Sequence, residues 1–463
     1  FDIDDFEPAV DGSYHWDLEP VGTLSADEVR EVIRQGLAYI NLHTVNYPAG
    51  EIRGNFTLAI GSRVFAPPPA PPAWPDDHSS SNAAVRFLNQ ATFGADPAGV
   101  AAVRALGYAA WIEDQFNLPV TRMVPEMLAN PTADPGNLHP NTQLWNLWWK
   151  NAVTAPDQLR QRLAFALSEI MVASDVGVLN NNGRILATYY DVLAEHAFGN
   201  FRELLERVTL TPAMGRYLDM LGNQKGSIIS GTHPNENYAR EILQLFSIGL
   251  YRLWPDATLV MDSQGNIVPT YDQKEILGFA AVFTGWNYGQ TNQANGRLPT
   301  QWFPNSNSTN DMTLVPGRHD LGAKQLLDLA VLPPALGAQT NSALLDYDGY
   351  GIEELERAHE SIFQHPNVGP YICRQLIQRL VTSHPSRDYV YRVVQAFNDN
   401  GSGVRGDMKA VVRAILLDYE ARSTFMAAHP GFGKQREPLL RVTAVARAFP
   451  APPARAGTYE QNG

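Results

Sequence analysis

The stretch that decides the fold is His233-Pro234-Asn235-Glu236-Asn237-Tyr238-Ala239-Arg240-Glu241-Ile242-Leu243-Gln244-Leu245-Phe246-Ser247-Ile248-Gly249-Leu250. Wound at about 100° per residue from Glu236, it gathers Glu236, Asn237, Arg240, Glu241, Gln244 and Ser247 into one arc of about 140°. Tyr238, Ala239, Ile242, Leu243, Leu245, Phe246 and Leu250 fill the opposite arc, and Ile248 alone breaks the pattern. The period predicts an amphipathic helix over 236–250. Its polar face has no Lys and is rich in short and amide side chains, which suits a fixed hydrogen-bond network or a ligand. A plain helix with a solvated face accounts for the same residues, with Glu236 pairing to Arg240 and Asn237 to Glu241 at four-residue spacing.

Outward from this segment the helical period recurs, predicting helices at 82–91, 97–116, 157–173, 184–197, 200–208, 271–284, 353–364, 369–382, 387–398 and 407–418. Strand signals are weak, so residues 82–463 read as a mainly α, large multi-helix domain. Long irregular loops interrupt it at 122–142, 222–235, 285–322 and 331–350. Loops of that length in a compact domain carry function or tie the surface together. Five of the eleven histidines precede proline, which reads as helix punctuation, because proline bars the preceding residue from the helical region.

Residues 1–64 read differently, as a small β-rich unit. Ser25-Ala26-Asp27-Glu28 is a capping box that opens a short helix ending at Gly36. Ala38 to Val45 and Glu51 to Ala59 are strand-like, with Tyr47-Pro48-Ala49-Gly50 as the turn of a hairpin. Between the two regions, 65–81 is a proline-rich linker. Six of the nine residues from Pro67 to Pro75 are proline, a composition that favours an extended, semi-rigid spacer.

Composition narrows the function classes. The 463 residues carry 35 Lys and Arg against 48 Asp and Glu, a formal charge of −13, which argues against nucleic-acid partners. One cysteine, Cys373, excludes an internal disulfide and a cysteine-ligated zinc or iron–sulfur centre. It lies in the apolar run 369–381 and reads as a buried, unreactive thiol. No uninterrupted apolar run is long enough for a transmembrane segment. The start Phe1-Asp2-Ile3-Asp4-Asp5 is acidic and lacks an initiator Met, so a processed or partly represented product is expected.

Two resemblances follow from particular residues. Gly36-Leu37-Ala38-Tyr39-Ile40-Asn41-Leu42-His43-Thr44 with Pro48-Ala49-Gly50-Glu51-Ile52-Arg53-Gly54 resembles the last half of a CHRD (chordin-type) domain, a β-sandwich-like module of extracellular proteins. The chain is then expected to begin inside that domain. From about residue 82 to 463 the pattern resembles the bacterial family called domain of unknown function 1800. The residues that carry this are Arg86-Phe87-Leu88-Asn89-Gln90-Ala91-Thr92-Phe93-Gly94, Arg162 to Ser168, Ala197 to Arg202, and Asn235 to Glu241. Thr284-Gly285-Trp286, His319-Asp320 with Lys324, His365-Pro366-Asn367 and Arg436-Glu437-Pro438 follow in order. The resemblance implies a secreted or envelope-associated protein, an incomplete end at Gly463, and no mechanism.

The candidate catalytic residues are Glu236, Arg240, Glu241, His319 and Asp320. A histidine beside a carboxylate suits a general base with its orienter, or two metal ligands. The largely apolar segment from Leu163 to Ala173 holds Glu169, which needs a partner or a shifted pKa, with Arg162 on the same face. Glu169, His196, Glu236, Glu241 and His319 form the one carboxylate–histidine set that would take a divalent metal, the only cofactor the sequence suggests. Trp145, Trp148 and Trp149 make an aromatic helical stripe, read as core with carbohydrate stacking as the alternative. Arg405-Gly406-Asp407 reads as a helix start with Asp407 as its cap. No dinucleotide, phosphate-loop, nucleophile-elbow or zincin motif is present.

The expected function is that of a secreted or surface-exposed bacterial protein, in the extracellular space or cell envelope, with a binding or assembly role. Its partners would be other envelope or extracellular proteins, further copies of itself, or carbohydrate. The alternative is an extracellular, metal-dependent enzyme built around the 236–250 helix.

Overall fold

The computed structural model describes residues 7–8, 14–15, 25, 39–44, 47–55 and 65–449, apart from 75, 130–140, 228, 230, 290–308 and 335–346. Helices start where the sequence supplies caps. The Asp96 carboxylate accepts from the Gly99 N–H at 2.8 Å and Pro97 opens the helix Pro97–Leu106. Asp272 and Glu275 form a reciprocal capping box at the head of Gln273–Val282. Asp407 accepts from the Lys409 N–H at 2.9 Å and caps Met408–Leu416, so the Arg-Gly-Asp tripeptide is a helix start, as its sequence suggests.

The helix Gly183–His196 is the hub of the first half. It packs against Asn141–Thr154, Gln158–Ser168, Phe201–Leu210 and Pro212–Tyr217. In the second half Val368–Leu380, Arg387–Asn398 and Met408–Leu416 pack in succession. One apolar core runs through both halves, from Ala84 to Ala421, and includes Cys373, whose thiol burial pushes up. The last helix, Pro438–Ala448, returns to the start of the domain. Arg447 donates to the carbonyls of Gly94 (2.7 Å) and Val153 (2.8 Å), and the Thr443 hydroxyl to that of Phe93 (3.0 Å). The Thr92-Phe93-Gly94 motif therefore closes the domain, with the Phe93 ring edge-on to Trp148 at 5.4 Å.

The chain is mainly α, and each predicted helix is present, but four boundaries differ, the helix expected over 353–364 starting already at Tyr347, inside a stretch expected to be irregular. The helix expected over 97–116 is divided at Gly107. The one expected over 157–173 ends at Ser168. The one expected over 236–250 is Asn237–Gln244. It stops because Gly249 turns left-handed (φ +71°) and returns its N–H to the Leu243 carbonyl at 3.0 Å, while the Ser247 hydroxyl takes the Ile242 carbonyl at 2.5 Å. Ile248 lies beyond the helix, which explains why it broke the period, and it is buried. Val124–Ala129, Pro212–Tyr217, Tyr419–Arg422, Thr424–Ala428 and Pro438–Ala448 are helices that the sequence pattern does not predict, the first of them inside a stretch expected to be irregular, and Asn141–Thr154 is the helix that carries the tryptophan stripe. The described His-Pro histidines, His233, His365, His384 and His429, all fall at or between helix ends.

Among the described residues the sheets are two-stranded. The predicted hairpin is present as Tyr39–Thr44 antiparallel to Tyr47–Asn55, and Glu7–Pro8 pairs antiparallel with Tyr14–His15 in the same N-terminal region. Tyr47 to Gly50, expected as the turn, is strand, with Tyr47 already paired to Thr44. The capping box expected at Ser25–Glu28 lies outside the described residues, Ser25 excepted.

The proline-rich stretch is pinned at both ends to the helical domain. The Phe65 ring stacks on Trp254 at 5.8 Å and meets Tyr391 at 5.5 Å. At the other end Trp74 lies 6.2 Å from Tyr108, whose hydroxyl donates to Asp77 at 2.6 Å.

Candidate functional site

Three of the motif stretches meet around one cleft. Its first wall is the loop 219–235, which leads into the helix Asn237–Gln244. Asn223, buried in that loop, accepts from the Asn235 N–H at 2.8 Å and donates to the Asn235 carbonyl at 3.2 Å, so one side chain ties the loop's two arms. The second wall is the turn around Arg318, whose carbonyl takes the Lys225 N–H at 2.9 Å. Between them runs Thr284-Gly285-Trp286, where the Gly285 N–H donates to the Asn223 carbonyl at 2.8 Å. The enclosed space is about 670 Å³ and is lined by Asp219, Lys225, Ser227, Thr232, His233 and Arg318, with Asn and Gln amides between them.

Directly after Arg318, behind the cleft lining, lies a buried charge cluster. His319 is 1 % exposed. Its Nδ1 faces the Thr284 carbonyl at 2.8 Å and its Nε2 the Glu354 carboxylate at 2.8 Å. Lys324 Nζ reaches the two Glu354 oxygens at 3.0 and 2.9 Å and the carbonyls of Asp320 (2.8 Å) and Gly322 (3.0 Å). Burial alone would push the Glu354 carboxyl up, but the hydrogen bonds from His319 and Lys324 and the Lys324 charge outweigh it and hold that carboxyl below the ordinary range. Both oxygens of Glu354 and all donors of Lys324 are engaged, so this cluster holds the segment behind Arg318 in place instead of presenting a free base. Asp320 contributes mainly backbone. Its carbonyl accepts from Lys324, its N–H donates to the Thr284 hydroxyl at 2.8 Å, and its carboxylate accepts from the Gly322 N–H at 2.7 Å.

Gly285 sits at φ +84°, and a Cβ there would lie 3.0–3.1 Å from the His319 backbone. Gly285→Ala is therefore expected to lower stability by about 1–2 kcal/mol, the cost of a left-handed non-glycine residue. A urea titration checks this, and an unchanged midpoint would refute it.

The other sequence candidates are placed apart from this cluster. Arg240 and Glu236 form the expected four-residue pair at 2.5 Å on the solvent side, and Gln273 donates to the same Glu236 oxygen at 3.1 Å. The Gln273 hydrogen bond and Arg240 together hold the Glu236 carboxyl low. Asn237 bonds Asp219 at 3.3 Å, not Glu241. Glu241 is partly buried, which raises its carboxyl pKa. Glu169 caps the end of Gln158–Ser168, and burial pushes its carboxyl up against the pull of Arg379, its ion-pair partner at 3.3 Å. His196 ends the hub helix, and burial lowers its pKa. Among the described residues no three His, Cys, Asp or Glu side chains gather as metal ligands, so Glu169, His196, Glu236, Glu241 and His319 are not brought to one point.

Other histidines belong to the core. His359 gives its Nδ1–H to the Leu355 carbonyl at 2.8 Å and meets the Thr209 hydroxyl at 2.8 Å, which also accepts from Tyr238 at 2.6 Å. Burial pushes its pKa down to about 4, so the ring is neutral. The tryptophan stripe lies on Asn141–Thr154. Trp145 is 41 % exposed and donates to Asp175 at 2.8 Å, and the three rings line a separate pocket of about 300 Å³.

Sequence reasoning missed Glu354, Asn223, Lys225, His233 and Arg318. Glu354 alone carried a readable signal. It stands four residues from both Tyr350 and Ala358, on the face of Tyr347–Gln364 that is otherwise buried and apolar.

Comparison with known families gives two matches. The profile described as protein of unknown function (DUF1800) matches residues 86–462, and that of the CHRD domain matches residues 5–56. Compared with curated proteins and with solved structures, the chain has no match.

Proposed function

The chain belongs to the DUF1800 family of proteins of unknown function, and from that premise we propose that it is a secreted or surface-exposed bacterial protein that binds a polar partner in the cleft beside Arg318. One observation carries the reading. The loop 219–235 and the turn at 317–318 line one polar cleft, Gly285 ties the first of them to Val315 through backbone hydrogen bonds, and the fully engaged His319–Glu354–Lys324 cluster follows directly behind Arg318. The lining supports a partner rich in hydroxyls, amides or carboxylates, as on an extracellular protein or a glycan. Lys225, His233 and Arg318 face a single carboxylate, Asp219, in a chain whose overall charge is −13. The CHRD match supports the extracellular setting, and among the described residues no helix is long and apolar enough to cross a membrane.

A photo-crosslinking residue at position 225, compared with one at the exposed position 425, tests the reading on producing cells. A single defined adduct is expected from 225, absent from 425, and lost when Arg318→Glu is added. Exposed substitutions of this kind change stability by only about 0.5 kcal/mol, so the loss would report recognition. Identical adducts from both positions, or substrate turnover that Arg318→Glu abolishes, would overturn it.

A further inference from the structure

A second cavity, of about 320 Å³, lies on the other side of the helical domain's closing seam, where the first and last helices approach. Four cations line it, Arg86, Arg162, Lys434 and Arg436, and no carboxylate does. They come from three distant stretches, each among or beside the motif residues of the chain. Lys434 is held by Glu437 at 3.0 Å, and Arg436 Nη1 donates to the Asn89 amide oxygen at 3.0 Å. Arg86 donates to the carbonyls of Arg422 and Ser423 and lies 3.9 Å from Asp77.

Arg162 is the unusual member. It is 1 % exposed, and only its Nη2 has an acceptor, the Arg379 carbonyl at 2.5 Å. Its Nε and Nη1, with Nη2 of Arg436 and Nε of Arg86, find no acceptor among the described residues. Burying a guanidinium without acceptors is costly, and buried donors are otherwise nearly always satisfied. Burial lowers the Arg162 guanidinium to about 10, and the nearest carboxylates, Glu169 and Glu437, do not restore it. Each of those carboxylates is paired through one oxygen, Glu169 to Arg379 and Glu437 to Lys434, while the second oxygen of each and the Gln90 amide oxygen have no partner among the described residues. Five cations (Arg379 included) therefore face Asp77, Glu169 and Glu437, and at least two positive charges have no match around the cavity.

We propose that this cavity is a binding site for a phosphate-type oxyanion. A phosphomonoester carries about −1.5 to −2 at neutral pH, which equals the unmatched charge, and its three terminal oxygens are strong acceptors for a lining of guanidinium and ammonium groups. A carboxylate would balance one charge and leave the rest. The cavity also holds the Asn89 and Gln90 amides, which can serve the ester oxygen or hydroxyls beside it. The site is independent of the cleft beside Arg318 and stands whether or not that cleft binds a partner.

Calorimetric titration of the full chain with inorganic phosphate, at an ionic strength fixed with sodium chloride, tests it. Saturable binding with Kd below about 1 mM is expected, and Arg436→Gln should weaken it at least about tenfold, a loss of 1.4 kcal/mol. Arg162→Lys should do the same. Because Arg162 is fully buried, its circular-dichroism melt is read alongside, and the partly exposed Arg436 decides the outcome if that variant unfolds. Glycerol 3-phosphate and vesicles containing phosphatidic acid separate the sources. Binding of the soluble ester alone assigns a small metabolite, and Arg436-dependent vesicle flotation assigns a lipid head group. No saturable phosphate binding up to about 10 mM, equal binding of acetate, or full binding by Arg436→Gln would each overturn the proposal.

Discussion

Glu354→Gln is expected to destabilise the domain by about 3–5 kcal/mol at pH 7, the usual cost of removing one partner from a buried ion pair. The substitution keeps the volume and removes the charge. Lys324 and His319, both essentially inaccessible to water, would then share a neutral amide. The Lys324 ammonium would keep its two carbonyl acceptors but lose its counter-charge in a low-dielectric setting. The effect has a pH signature. The Glu354 carboxyl is held below its ordinary value in the folded chain. Its contribution is therefore present above the unfolded value of about 4.3 and is lost as pH falls through the lower folded value. The gap between the native chain and Glu354→Gln should be full at pH 7 and close progressively in acid below about pH 4. Urea titrations at both pH values check this. A loss under about 1 kcal/mol at pH 7, or a gap independent of pH, would show that Glu354 is not the charge that anchors His319 and Lys324.

Gly278→Ala should cost about 2–3 kcal/mol, against the sign that helix propensity alone would give. In an exposed helix the exchange gains about 1 kcal/mol. Here the helix Gln273–Val282 lies so close to Lys324–Gln325 that a Cβ at 278 would fall 1.8 Å from the Gln325 carbonyl oxygen and 2.8 Å from its carbon and nitrogen. These are backbone atoms, so no side chain can swing aside. The helix and strand would have to separate, and Lys324 is the residue next to the contact. Lys274→Ala, on the same helix but at its exposed face, is the control and should lie within about 0.5 kcal/mol of the native chain. Equal stability of Gly278→Ala and the native chain in denaturant would refute the close approach.

The helices that are legible in this sequence are those whose apolar faces are complete. Gln158–Ser168 and Gly183–His196 can be read because Leu, Ile, Val and Ala recur at helical spacing. Asn141–Thr154 shows its tryptophan stripe but not its limits, because Asn, Gln, Lys and Trp blur the contrast between its faces. The early stop at Gln244 is encoded in Ser247 and Gly249, yet the apolar residues after it keep the period alive by coincidence. Sequence alone nominates His319 and Lys324 as unusual, but their counter-charge is 35 and 30 residues away on another helix. Asp320 has the spacing of an orienter for its neighbour, but adjacent side chains do not face each other, so it serves through its backbone. Arg162 is the nearest basic residue on the same face as Glu169. The ion pair instead comes from Arg379, 210 residues on, which also accepts the Arg162 donor on its carbonyl. Pairings of this kind depend on tertiary approach, which local periodicity does not contain.

The pinned proline stretch changes what a linker can mean mechanically. Ten residues of flexible chain would let whatever precedes them sweep a radius of roughly 18 Å. With Phe65 clasped by Trp254 and Tyr391 and Trp74 seated near Tyr108, that sweep is removed from the segment between them. The preceding chain leaves the helical domain at one fixed point, as a mast leaves a deck. A pull applied from the N-terminal side would load the Phe65 ring contacts before any helix bore tension. Those rings would act as a fuse that lengthens the tether by up to about 30 Å of extended chain while the domain behind it stays folded.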